Sequence, residues 1–114
     1  MDDVALVREY YRSIDADEYD ALRAILAEEF AHRRPDRTIE GRDAFVEFMR
    51  EERPDRKTEH ATETIYEERG GERIAVEVKL LRSDGSEWFG FVDSFVVDKR
   101  RIRRVRTYTD AGPE

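Results

Sequence analysis

The sequence has 114 residues, enough for one domain over residues 1–114 and too few for two, and its 28 acidic against 21 basic residues leave a net charge of −7. That balance argues against nucleic acid as a partner, because phosphate binding needs a net basic face. The lack of cysteine excludes disulfides, zinc-thiolate sites and thiol catalysis.

Charged residues reach 43%, but the apolar residues, at 39%, fall in periodic runs, which predicts a folded domain under a charged surface. Only Lys57, Lys79 and Lys99 are lysines, against 18 arginines. An acidic, lysine-poor surface suits a halophilic, salt-rich cytoplasm, although a high-GC genome alone would also favour arginine. Met1-Asp2-Asp3 leads straight into an amphipathic pattern instead of a signal peptide. No apolar stretch approaches the ~20 residues that cross a bilayer, so no membrane contact and a cytoplasmic location are expected.

Val4, Val7, Tyr11 and Ile14 recur at helical spacing with Tyr10 beside them, predicting a first helix that breaks at Asp15-Ala16-Asp17. A second helix carries Tyr19, Leu22, Ile25 and Leu26 on one side. Phe30 to Arg34 reads as a short strand, since Arg34 precedes Pro35 and is pushed towards extended geometry. Gly41 opens a third helix with Phe45, Phe48 and Met49 as its stripe and Pro54 at its exit.

The rest reads as strand. Thr58 to Arg69 is rich in Thr, Ile and Tyr with weak alternation, and Gly70-Gly71 signals a two-residue hairpin. Ile74, Val76, Val78 and Leu80 then alternate with polar or small residues, and Ser83-Asp84-Gly85-Ser86 turns the chain. Glu87 to Asp98 is the most apolar strand, and Lys99-Arg100 turns it into a last strand with Ile102, Val105 and Tyr108. The expected fold class is α+β: three N-terminal helices packed on a curved, mostly antiparallel sheet, forming a cone with an internal cavity.

Tyr10-Tyr11, Asp17 to Leu22, Glu28 to His32, Pro35, Glu40-Gly41-Arg42 and Phe45 come in an order and spacing similar to the SnoaL-like and ketosteroid-isomerase-like pattern of the nuclear transport factor 2 superfamily. Val92 to Phe95, Arg101-Ile102 and Tyr108 resemble that family's closing hairpin. The resemblance implies a homodimer formed through the sheet and a pocket for a small apolar or partly polar organic molecule, with no metal and no cofactor. In the isomerase branch a carboxylate just before the proline moves a proton, while a helix tyrosine and a protonated late-strand aspartic acid stabilise the enolate. That enzyme is a worked example of a carboxyl group kept neutral by an apolar site. Tyr10 matches the tyrosine and Asp93 the late-strand acid, but Arg34 stands where the base should be. An arginine stays protonated and cannot take a proton from carbon, so the steroid-isomerase mechanism is disfavoured. In SnoaL cyclases the late-strand aspartate is itself acid and base, which singles out Asp93.

Phe91, Asp93 and Phe95 share a sheet face at period two. If that face is apolar and inner, desolvation raises the carboxyl pKa and makes a usable acid or base; if it is solvated, Asp93 ends a cross-strand pair. His32 shares a face with Phe30 and Arg34; it could shuttle a proton, or sit as a hydrogen-bonded histidine at a pocket edge. Tyr10 could meet an oxyanion, or be core with its hydroxyl at the margin. His60 reads as surface, and two histidines without tight spacing make no metal site. Phe30, Arg34, Phe45, Met49, Trp88, Phe91, Phe95 and Tyr108 are candidates for the pocket lining, with packing as the alternative for the apolar ones. The competing functions are therefore a cyclase, isomerase or dehydratase using Asp93, His32 and Tyr10, or a non-catalytic ligand-binding or dimerisation module of the same fold.

Overall fold

Asp2 starts the first helix: its side chain accepts a hydrogen bond from the Ala5 amide at 2.8 Å, which satisfies one of the free N-terminal donors. Helix α1 (Asp3–Asp15) buries Leu6, Val7, Tyr10, Tyr11 and Ile14. The computed structural model describes residues 1–51 and 57–109, so Pro54 lies outside the described residues. Asp17, at φ 55°, reverses the chain after α1.

Helix α2 (Tyr19–Ile25) runs without a loop into strand β1 (Leu26–Arg33). Leu26, expected on the helix, is already extended, with φ −100° and ψ 141°. Its apolar side chain fits the same core from either geometry, so helical spacing alone could not place the boundary. Strand β2 (Thr38–Glu40), absent from the sequence reading, pairs antiparallel with the end of β1. Gly41, at φ 97°, then donates its amide to the Phe30 carbonyl and accepts from the Phe45 amide, starting helix α3 (Arg42–Glu51).

Strands β3 (Glu59–Glu67), β4 (Arg73–Leu81), β5 (Glu87–Asp98) and β6 (Arg101–Tyr108) form an antiparallel meander. The six strands run in the order β2-β1-β6-β5-β4-β3, with β1 and β6 parallel. A mostly antiparallel sheet under three helices is thus the observed architecture. Phe30, Ile74, Val76, Phe95, Val97, Ile102 and Val105 line the face towards the helices and meet Leu22, Phe45 and the α1 stripe in one core. The β3–β4 connection is longer than the expected two residues. The Glu68 amide still bonds the Arg73 carbonyl, so residues 69–72 form the turn, with Gly70 at φ 69°.

Bulges set the strand phases. Glu63 is the extra residue in β3, which explains the weak alternation of that segment: His60 and Thr62 oppose Leu80 and Val78, whereas Ile65 opposes Val76. Trp88 is extra in β5 and Arg103 is extra in β6.

The β5–β6 hairpin turns through Lys99 and Arg100 at φ 51° and 62°, a left-handed pair that glycine and asparagine adopt more readily. Replacing Lys99-Arg100 by Asn-Gly should raise unfolding stability by about 1 kcal/mol, read as a higher urea midpoint at unchanged m value.

Candidate functional site

Alternation along β5 sends Phe91, Asp93, Phe95 and Val97 towards the helices, and Asp93 is only 3% exposed while Phe95 is fully buried. A carboxylate there needs donors, and two hydroxyls supply them. Tyr11 of α1 donates to one carboxylate oxygen at 2.6 Å, and Thr107 of β6 donates to the other at 2.6 Å. Burial raises the Asp93 pKa above the ordinary aspartate value; the hydrogen bonds from Thr107 and Tyr11, and then the fields of His60 and Arg34, act against that rise. Burial first and the Asp93 charge second push the Tyr11 hydroxyl well above its usual pKa, so it remains a proton donor.

His32, buried on β1 between Phe30 and the cleft-facing Arg34, extends the network: its Nε2 lies 2.9 Å from the Thr107 hydroxyl oxygen. While Thr107 donates to an ionised Asp93, His32 must donate Nε2–H to Thr107, which leaves Nδ1 as a lone pair. That Nδ1 is buried and has no hydrogen-bond partner. Burial, with help from Arg34, pushes the His32 pKa down to about 3, so the ring is neutral at ordinary pH. Asp93, Thr107 and His32 thus form one hydrogen-bonded chain, with a neutral histidine one hydroxyl away from the carboxyl.

Tyr10 takes the core position that was its alternative reading. The hydroxyl on Asp93 belongs to Tyr11, while the Tyr10 ring stacks on Phe45 at 6.1 Å and meets Phe95 edge-on at 5.2 Å. Phe30 and His32 also pack on Phe45, at 4.8 and 5.3 Å. These rings occupy the space between helices and sheet beside Asp93.

His60 is not a surface histidine. Asp15, the last residue of α1, accepts its backbone amide at 2.9 Å and holds its ring Nδ1 at 2.6 Å. The ring lies 5.3 Å from that of Tyr11 and 6.2 Å from that of Phe91. A carboxylate fixed on Nδ1 leaves Nε2 as the basic atom, the arrangement of an oriented general base. The sequence reading missed Asp15, His60, Tyr11 and Thr107. Only Tyr11 carried a visible signal, its place at the centre of the α1 stripe.

The other expected lining residues divide. Phe30, Phe45, Met49 and Phe95 are core, and Phe91 is half-buried against it. Trp88 is exposed at its bulge under the Arg82 guanidinium. Arg34 and Tyr108 stand with Thr107 in an open cleft of about 770 Å³ at the C-terminal ends of β1 and β6. A second cleft, of about 340 Å³, lies between the start of β1 and the β5–β6 turn. Among the described residues no three carboxylate or imidazole groups converge as a metal set, and no helix is long and apolar enough to cross a membrane.

Solved structures share this fold at low identity. A ketosteroid isomerase candidate from Kribbella flavida is 23% identical, with a TM-score of 0.77 over 96% of this chain and 82% of that one. A Mycobacterium tuberculosis protein in complex with estradiol-17β-hemisuccinate is 17% identical, with a TM-score of 0.79 over 94% and 92%. A candidate SnoaL-like polyketide cyclase from Jannaschia is 17% identical, with a TM-score of 0.77 over 95% and 85%. No curated protein matches the sequence significantly. The sequence model of the SnoaL-like domain matches residues 7–105, and the chain belongs to that family.

The depressed histidine gives a signed pH dependence. Between about 3, its folded value, and 6.5, its ordinary value, the unfolded chain binds the proton that folded His32 refuses, so stability rises with pH across that window and falls on acidification. Asp93 acts with the opposite sign just above 3.8, because there the folded form holds the extra proton. Urea unfolding across the acid range should show the His32 contribution as a loss of up to roughly 5 kcal/mol, and His32→Gln should flatten that part of the curve.

Proposed function

We propose that this SnoaL-like domain binds a small organic molecule against the Asp93 cluster and moves a proton on it, as an isomerase, cyclase or dehydratase does. The observation that carries the reading is a carboxyl group 3% exposed, raised in pKa, and held by two hydroxyls. A carboxyl of raised pKa is a stronger base when ionised than an ordinary aspartate, so it can take a proton from carbon and return it, or protonate a leaving hydroxyl.

In the proton-abstracting step, ionised Asp93 takes the hydrogen as a proton while the electron pair of the broken C–H bond moves to the adjacent carbonyl as an enolate. Tyr11 and Thr107, which had stabilised the carboxylate, then face a neutral acid that donates in turn. His60, held by Asp15 with its ring 5.3 Å from that of Tyr11, would serve as a second acid–base group. Arg34 at the position of the isomerase base still argues against the steroid-isomerase mechanism.

The ligand class follows the family. A related fold holds a steroid hemisuccinate, an apolar body with a polar end, and a molecule of that general character suits an aromatic core beside hydroxyls and arginines. In this reading the cleft in whose wall Thr107 stands is the approach to Asp93. A second reading has an observation of its own: Tyr10, Phe45 and Phe95 already fill the interior, as they would in a binding or dimerisation module whose buried Asp93 only ties α1 to the sheet.

Deuterium incorporation next to the carbonyl, followed by NMR over a panel of hydroxyketones and diketones, separates the two. Asp93→Asn should cut exchange or turnover by about 10²–10⁴ while the far-UV spectrum and melting are retained. Unchanged turnover in that variant would assign Asp93 to structure.

The outer sheet face carries exposed Tyr66, Val92 and Tyr108 with half-buried Val96 between charged residues, and we assign it to a homodimer contact. Sedimentation should give twice the 13.5 kDa monomer mass, and Val92→Glu should return it to the monomer. A wild-type monomer at all concentrations would remove the dimer.

A further inference from the structure

We propose that the cleft at the C-terminal ends of β1 and β6 is an anion site that holds the carboxylate or phosphate end of a small organic molecule. The proposal deepens the functional reading above by naming the ligand's charged end, and it rests on that reading only for the far end that would reach Asp93.

The parallel pairing of β1 and β6 brings two cations together. Arg33 and Arg106 are register partners, so neighbouring strands place like charges side by side, an arrangement that opposes folding unless an anion shares it. The turn after β1 adds two more. The Arg34 amide donates to the Arg37 carbonyl at 2.8 Å, folding residues 34–37 over the strand ends. Asp36, the one carboxylate among the described residues lining the cleft, is divided between Arg34 at 3.4 Å and Arg37 at 3.5 Å. Four arginines therefore face one carboxylate in a chain whose net charge is −7.

Two of these guanidinium groups are also held in place. Arg34 and Arg37 sit over the Phe48 ring at 5.7 and 5.3 Å from its centroid, which limits the side-chain freedom an anion would have to remove. Guanidinium forks match the planar oxygens of carboxylate and the tetrahedral oxygens of phosphate. The cleft volume of about 770 Å³ fits a small molecule. Thr107 stands in its wall and donates to Asp93, and Arg34 acts on Asp93 and His32, so a ligand end held at Arg34 would lie nearest the buried hydrogen-bonded chain.

Titration calorimetry on the full chain with benzoate, phenyl phosphate and neutral benzamide as probes tests the site. At least one anion should bind more tightly than benzamide, and its affinity should fall as salt is added. The tighter of the two anions identifies the group the cleft takes. The double variant Arg33→Gln/Arg106→Gln, with its fold checked by circular dichroism, should weaken anion binding by about tenfold or more. The arginine variant is read by anion binding alone and Asp93→Asn by proton exchange alone, so that a failed catalytic assignment and a failed anion site are told apart. Anions that bind no better than benzamide, or binding that the arginine variant leaves unchanged, would overturn the proposal.

Discussion

A carboxyl group stands at the centre of the sheet where the helices meet it, and its demand for donors fixes how the two layers sit. Leaving a buried carboxylate without hydrogen bonds costs several kcal/mol, so the elements around Asp93 must present hydroxyls to it. Tyr11 does so from α1, which sets the rotation of that helix about its axis; Thr107 does so from β6, which sets that strand's register. Turning α1 by one residue would present Tyr10 or Arg12 instead. Slipping β6 by one would present Arg106. The apolar packing of Phe95, Val105 and Ile102 tolerates neither change, so hydrocarbon and polar requirements agree on one arrangement.

The bulge at Arg103 is what makes that arrangement possible. From the Lys99-Arg100 turn, regular pairing would have put Arg106 opposite Asp93, an ion pair that would hold the carboxyl low. The extra residue moves Thr107 there instead and turns Arg106 to the outer face beside Arg33. Ile102 and Val105 are both buried although an odd number of residues apart, which a regular strand cannot achieve. That odd spacing was the trace of the bulge in the sequence. It was legible only once both residues were known to face the core.

The same reasoning separates what the sequence disclosed from what it hid. Helices and long strands carry apolar repeats several turns or pairs in length, so α1, α3, β4 and β5 were readable; the two phenylalanine neighbours of Asp93 put the three on one face but left open whether that face was inner. Strand β2 has three residues and no repeat, so nothing local announced it. His60 looked like surface because the bulge at Glu63 scrambles the alternation of β3 and because Asp15, its partner, is 45 residues away. Tyr10 and Tyr11 are adjacent on a helix stripe and both buried; choosing between them needs the angle of α1 on the sheet, which only tertiary packing defines.

Electrostatics tie the Asp93–Thr107–His32 chain to the cleft. Burial disfavours the charged form of both His32 and Asp93, lowering the pKa of the first and raising that of the second. Arg34 acts on both from the cleft, reinforcing the fall at His32 and resisting the rise at Asp93. An anion seated on the arginines would cancel that field. Asp93 would then hold a proton more tightly, and His32 would accept one more readily, so occupancy of the cleft and the acid–base state of the interior are coupled through one guanidinium. An arginine where an isomerase would keep its base cannot abstract a proton there, and its field reaches the buried carboxyl of Asp93.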